Sequence, residues 1–138
     1  MPHINDKRLR IAIGENQADL AESLRLLIDL QDDMQCVGHA GSSSSLLALA
    51  AEQSPDLYIL DLSLDDGSSI PAMKALREQQ PHCAIVAFTG LANTALVEQC
   101  LLAGCDSVVA KAGNIDGLLA VVRNVAAQRA QHRTAAGT

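Results

Sequence analysis

The chain is predicted to be an α/β domain in which one parallel sheet carries helices on both faces. Three observations point there: five short, mostly apolar runs, helical patterns alternating with them, and a length of 138 residues that suits a single domain with one real core. Runs that are apolar throughout are what parallel strands buried on both faces require.

Leu9 to Ile13, Leu57 to Leu60, Ala84 to Phe88 and Val108 to Ala110 are such runs. Gln35 to Ala40 is more mixed, with apolar Cys36 and Val37 beside Gln35 and His39, and reads as an edge strand. Leu20, Leu24, Leu27 and Ile28 share one face of a helix from about Ala18 to Leu30, opposite Glu22, Arg25 and Asp29. The serines Ser42 to Ser45 supply capping hydroxyls for a second helix that buries Leu46, Leu49 and Ala50 and stops ahead of Pro55. A third begins near Ser69, tolerates Pro71 in its first turn, buries Ile70, Met73 and Leu76, and ends before Pro81. A fourth spans about Asn93 to Ala103, with Gly104 placed to take the left-handed conformation that closes it. The fifth, about Ile115 to Gln128, turns Leu118, Val121, Val122 and Val125 inward and Arg123 and Gln128 outward, and residues from Ala130 onward are expected to fray. Residues 1–130 therefore read as one domain, and 131–138 as a flexible tail or the start of a linker.

Composition narrows the function. Sixteen acidic against ten basic side chains leave a formal charge of −6, which disfavours unaided nucleic-acid binding. Tyr58 and Phe88 are the only aromatic residues and there is no Trp, so stacking platforms, aromatic cages and a membrane-interface belt are hard to build. The start, MPHINDKRLR, has no apolar stretch of signal-peptide length, and no run approaches the ~18 apolar residues of a membrane span, so a cytoplasmic protein without membrane contact is expected. Cys36, Cys83, Cys100 and Cys105 lie in apolar stretches without a C-x-x-C pair and read as small packed hydrophobes. His3, His39, His82 and His132 are scattered singly, unlike the ligands of a zinc site.

In a parallel sheet the ligand crevice lies outside the carboxyl ends of the strands. The residues expected there are Gly14-Glu15-Asn16, Asp61, Thr89-Gly90 and Lys111. Two acids and an amide oxygen suit a hard cation such as Mg²⁺, while a lysine ammonium and a threonine hydroxyl suit a phosphoryl group. Neither G-x-x-x-x-G-K-[ST] nor G-x-G-x-x-G occurs, so the phosphoryl group is expected on a carboxylate rather than on a nucleotide.

The motifs around these residues are P-D-L-Y-I-L-D-L-S-L-D-D-G at Asp61, A-F-T-G at Thr89 and A-G-C-D-S-V-V-A-K ending at Lys111. In this order they resemble the receiver domain of bacterial two-component response regulators over about residues 8 to 128, and D-L-S-L-x-D-G is most similar to receivers of the LuxR/NarL type. The resemblance implies a flavodoxin-like (βα)5 fold with strand order 2-1-3-4-5. It implies Asp61 as phosphoacceptor, Thr89 as the switch hydroxyl and Lys111 as the phosphoryl contact. Mg²⁺ would be held by Glu15, Asn16, Asp61 and the main-chain carbonyl of Ser63. The implied partners are a sensor histidine kinase or phosphotransfer protein and, in a longer protein, a DNA-binding output domain. The domain itself would touch no nucleic acid, and a homodimer through the helix face around Leu118 and Val122 is left open.

Departures from the family pattern matter. Asn16 stands where most active receivers carry a second acid, so a formal site charge of −3 becomes −2 and weaker Mg²⁺ binding is expected. Val108 replaces an aromatic residue that rotates in relatives, and Ala112 replaces a proline, so a trans loop is expected. Leu91 is placed to screen the site from water. Asp65, in a position often held by proline, reads as a turn residue that adds negative charge near the site, and Asp66-Gly67 is a turn signal. The reading is a receiver that accepts a phosphoryl group on Asp61, assists that transfer and its reversal, and changes its affinity for a partner. The alternative is a degenerate receiver that acts as an interaction module without phosphate. A flavin-binding protein on the same architecture is disfavoured, because Glu15, Asn16 and Asp19 would repel an anion at the first turn.

Overall fold

The computed structural model describes residues 7–90, 93–112 and 115–137, with side chains as far as residue 131. Five strands, β1 (Leu9–Gly14), β2 (Met34–Ala40), β3 (Leu57–Leu60), β4 (Ala84–Thr89) and β5 (Ser107–Ala110), alternate with helices α1 (Ala18–Asp29), α2 (Ser43–Gln53), α3 (Ile70–Gln79), α4 (Thr94–Ala103) and α5 (Ile115–Gly137). The strands form one parallel sheet in the order β2-β1-β3-β4-β5, the predicted topology. β1 is flanked by β2 and β3, so the connections leaving β1 and β3 diverge to opposite faces and open a crevice at their carboxyl ends.

The two faces of the sheet have separate cores. Ile11, Ile13, Leu57, Ile59, Val86, Phe88 and Val109 meet α1 and α5, while Ala12, Tyr58, Leu60, Ile85 and Ala87 meet α2, α3 and α4. The alternation follows from the period of two along each strand. Each large aliphatic side chain fully withdrawn from water contributes roughly 1.5–3 kcal/mol, and the core is almost wholly aliphatic. Its one tyrosine, Tyr58, is fully buried and donates its hydroxyl to Gln80 Oε1 at 2.5 Å, while Gln80 Nε2 donates to the carbonyl of Ala50.

Local chemistry sets the element ends. Ser42 caps α2 by accepting from the amide of Ser45, and Asn93 caps α4 by accepting from that of Leu96. Gly104 closes α4 at a φ of +111°, and a Cβ there would stand 2.9 Å from Arg77 Cγ. β2 is the edge strand, with His39 exposed, and Val37 forms a bulge where Ile11 pairs with Cys36 and Ala12 with Gly38.

The structure differs from the sequence reading in three places. α5 runs past Gln128 to Gly137, because alanines, Gln128 and Arg129 favour helix and no glycine or proline intervenes before Gly137. A short hairpin, Ser63–Leu64 against Gly67–Ser68, fills what reads as plain loop, and its turn falls at Asp65-Asp66, one residue before the expected Asp66-Gly67, because Gly67, at a φ of +111°, already pairs with Leu64. Leu118 and Val122 are buried against the sheet, so the helix face offered for a homodimer is turned into the core. Cys83, Cys100 and Cys105 are buried, Cys36 is half-buried and all four are free. Burial pushes each thiol up, Cys105 to about 11.

Candidate functional site

The sheet ladder extends one residue past its strands and so fixes the site. Asp61 N–H donates to the carbonyl of Gly14 at 2.8 Å, Glu15 N–H to that of Ala40 at 2.9 Å, and Lys111 N–H to that of Thr89 at 2.9 Å. Gly14 lets β1 and β3 pack closely, since a Cβ there would meet Leu60 Cδ2 at 2.8 Å.

Glu15, Asp61 and Lys111, far apart in sequence, converge. Lys111 Nζ donates to Glu15 Oε1 at 2.9 Å and to Asp61 Oδ2 at 2.8 Å, and lies 6.0 Å from the centre of the Phe88 ring. Burial works against the lysine's charge, but the hydrogen bonds and charges of Asp61 and Glu15 outweigh it, so its pKa rises above the ordinary value. Glu15 is fully partnered, because Oε2 accepts the N–H of Gln17 at 3.1 Å. Asp61 is less so, because Oδ1 has only a long 3.4 Å contact with the N–H of Ser63. Two carboxylates against one ammonium leave the pocket formally at −1.

Asn16 is exposed beside Glu15. Asp65 N–H donates to the carbonyl of Gly41 at 2.9 Å, a bond a proline could not make. A Cβ on Gly41 would stand 3.1 Å from Asp65 Oδ2 and 3.8 Å from Asn16 Cα, which puts the Asp65 carboxylate on the Asn16 side of the pocket. Asp65 is thus both the expected turn residue and a negative charge near the site. Asp66 accepts from the amides of Ser43 at 2.7 Å and Ser44 at 3.2 Å and so sits on the positive end of α2. Val108 is half-buried at the edge of the core, Ala112 is exposed after a trans peptide, and Leu91 lies outside the described residues.

Three polar side chains are buried among the described residues: Glu15 (3% exposed), Thr89 (1%) and Ser69 (0%). All three stand at this end of the molecule. Glu15 and Thr89 are legible from their positions after β1 and at the end of β4, whereas Ser69 is missed. Its Oγ donates to the main-chain carbonyl of Asp61 at 2.7 Å, and its N–H to that of Leu62 at 3.0 Å. The signal in the sequence is only a serine at the start of a helix eight residues after Asp61.

Among the described residues no group of three His, Cys, Asp or Glu side chains is arranged to hold a metal ion. The donors of the expected set are nonetheless all oxygens: Asp61 Oδ1, the Asn16 amide oxygen and the main-chain carbonyl of Ser63, the carbonyls of Asp61 and Leu62 already accepting from Ser69. That set fits a hydrated Mg²⁺ that keeps several waters, with fewer anionic ligands than a pair of adjacent acids would give.

The profile of the response regulator receiver domain matches residues 11–123. The chain belongs to that family, and it is a receiver domain of two-component signalling. The transcriptional regulatory protein YxjL of Bacillus subtilis is 28% identical over 131 residues, covering 95% of this chain and 60% of its own length. The response regulator protein VraR of Staphylococcus aureus is 28% identical over 96 residues, 70% of this chain and 46% of VraR. The chain thus spans about half the length of such curated relatives. Among solved structures, a LuxR-family two-component response regulator from Aurantimonas superposes with a TM-score of 0.83 at 24% identity, covering 88% of this chain and 87% of that one. The receiver domain of a NarL regulator from Mycobacterium tuberculosis gives 0.81 at 19% identity, covering 87% and 97%. Both show the same fold.

Proposed function

We propose that this receiver accepts a phosphoryl group on Asp61 from a sensor histidine kinase or phosphotransfer protein. The observation that carries this is the Asp61 carboxylate, held by Lys111 on one oxygen and left open on the other, at the carboxyl ends of the central strands. Asp61 Oδ1 attacks phosphorus, the new O–P bond forms as the P–N bond to the donor imidazole breaks, and the imidazole nitrogen keeps the electron pair. The product is an acyl phosphate. A bound Mg²⁺ supplies positive charge that neutralises the phosphoryl oxygens. Lys111 turns from its two carboxylates to a phosphoryl oxygen, a contact it makes as a point charge. Thr89 holds a second oxygen, so the domain itself assists the transfer. Bringing three phosphoryl oxygens into a pocket already at −1 rearranges the loops around it, and the changed surface alters affinity for a partner. No helix among the described residues is long and apolar enough to cross a membrane. A cytoplasmic receiver that controls a DNA-binding output domain fits the longer relatives, with 1–130 as the receiver and the last turns of α5, which continues to Gly137, leading toward that domain.

A second reading is favoured by Asn16, Val108 and Ala112 together: a receiver that binds its partner without phosphate. Intact-protein mass spectrometry after incubation with acetyl phosphate separates the two. The expected result is a Mg²⁺-dependent phosphoryl adduct that Asp61→Asn loses. No adduct on the wild type, with one on Asn16→Asp, would establish the second reading.

A further inference from the structure

Serine just before a helix ordinarily turns its hydroxyl onto the free amides of the first turn. Ser69 stands there before α3, and its carbonyl accepts the Met73 N–H at 3.0 Å, but its hydroxyl caps no amide of the helix; Ser68 Oγ accepts the Ile70 N–H instead, at 3.2 Å. The Ser69 hydroxyl is directed backwards, to the carbonyl of Asp61 at 2.7 Å. Asp61 lies one residue beyond β3, where the ladder still receives its N–H through Gly14 but a serine hydroxyl serves its carbonyl. With its amide, Ser69 also holds the carbonyl of Leu62. The segment from Asp61 to Ser69 is thereby closed at its base by two hydrogen bonds from one residue. It is stiffened by the Ser63–Ser68 hairpin pair and pinned at its tip by Asp65 on the loop after β2 and by Asp66 on the first amides of α2.

We infer that Ser69 is a positioning residue for the phosphoryl acceptor: by fixing the Asp61 carbonyl it holds the peptide plane from which the carboxylate projects toward phosphorus and Lys111. This rests on the proposed acceptor role of Asp61. Burial strengthens the case, because a hydroxyl with no access to water loses its bond outright if the loop shifts. Attack on phosphorus depends steeply on geometry, and a displacement of about 1 Å can cost two orders of magnitude in rate.

Three variants separate the hydrogen bond from simple filling of space. Ser69→Ala removes the hydroxyl, Ser69→Cys keeps the shape with a weak donor, and Ser69→Thr keeps the hydroxyl. Rates of phosphorylation by acetyl phosphate are measured across its concentration by intact mass, at a temperature where each variant is folded by circular dichroism. Ser69→Ala and Ser69→Cys are expected to lose about tenfold in maximal rate with little change in the half-saturating acetyl phosphate, and Ser69→Thr to recover most of it. A wild-type rate in Ser69→Cys, or a loss that appears only in half-saturation, would overturn the inference. ¹⁵N relaxation dispersion on the unphosphorylated proteins provides a readout without phosphate. Microsecond-to-millisecond exchange confined to residues 61–69 is expected in Ser69→Ala and Ser69→Cys and absent from wild type and Ser69→Thr. If wild type takes no phosphoryl group, the acceptor role fails, while a quiet 61–69 segment in Ser69→Ala counts against Ser69 itself.

Discussion

Two ion clusters sit at opposite ends of the same sheet and are mirror images in charge. At the carboxyl ends one cation, Lys111, lies between two acids, Glu15 and Asp61; at the amino end of β5 one acid, Asp106, lies between two cations, Arg77 and Arg129. The second cluster is saturated. Asp106 Oδ2 accepts from Arg77 at 3.0 Å and from the N–H of Ile85 at 2.8 Å, while Oδ1 accepts twice from Arg129. Arg77 also donates to the carbonyls of Pro81, Cys83 and Gly104, tying α3 to the ends of α4 and β4. The first cluster is unfinished, with one oxygen of Asp61 nearly free. A saturated network fixes tertiary structure, and an unsaturated one can exchange its partners for a ligand.

The largest expected effect of breaking this contrast is on stability. Asp106→Ala leaves two guanidinium groups and the amide of Ile85 without their shared acceptor, and should destabilise the domain by about 3 kcal/mol. Urea unfolding monitored by circular dichroism reads it. Phosphoryl acceptance on Asp61 should survive in the folded fraction, because the whole sheet separates the two clusters.

Lys111→Met should act the other way. Removing the lysine that holds Asp61, which the proposed transfer turns onto a phosphoryl oxygen, is expected to slow phosphorylation by acetyl phosphate roughly a hundredfold. The lysine also has a raised pKa in the fold. Its stabilising contribution is therefore complete below the ordinary lysine value of about 10.4 and is lost as pH climbs through the higher folded value. Melting curves of wild type and Lys111→Met should differ by a constant amount from pH 7 to pH 10 and converge above it. A difference that vanished near pH 7 would contradict the raised value.

Most of this arrangement is legible in the sequence because it rests on local pattern. Apolar runs mark the strands, and strand ends mark where Glu15, Asp61, Thr89 and Lys111 must stand. What is hidden depends on contacts between elements. The backward bond of Ser69 and the amide bond of Asp65 to Gly41 exist only once α3 and the loop after β2 are packed. The Arg77–Asp106–Arg129 clasp joins three elements with no common spacing, and the Ser63–Ser68 hairpin is too short for any alternation to show. The end of α5 is hidden for another reason: alanine-rich sequence favours helix without an amphipathic stripe to mark how far it runs.

A smaller effect is expected from adding charge to the unfinished cluster. Asn16→Asp restores a second anion next to Glu15 and should tighten Mg²⁺ binding about tenfold, as counted by isothermal titration calorimetry. The chain has no Trp, so an intrinsic tryptophan signal is not an option. Unchanged affinity would mean that the exposed side chain at position 16 does not face the cation, and would leave the engagement of Glu15 with Lys111 and Gln17 as what sets the affinity.

The smallest expected effect comes from Asp66, an acid beside the unfinished cluster that is itself saturated. The amides of Ser43 and Ser44 at the start of α2, the first the stronger, hold its carboxyl below the ordinary aspartate range. A lowered pKa contributes stability above the unfolded value of about 3.9, and that contribution disappears as pH falls through the folded one. Asp66→Ala should therefore unfold at slightly lower urea than wild type at pH 7 and at nearly the same urea below pH 3, while still accepting phosphate. If it instead lost acceptance at pH 7 with little change in stability, the hairpin tip would belong to the working cluster. Saturation would then no longer separate the acids that hold this fold from the acid that serves it.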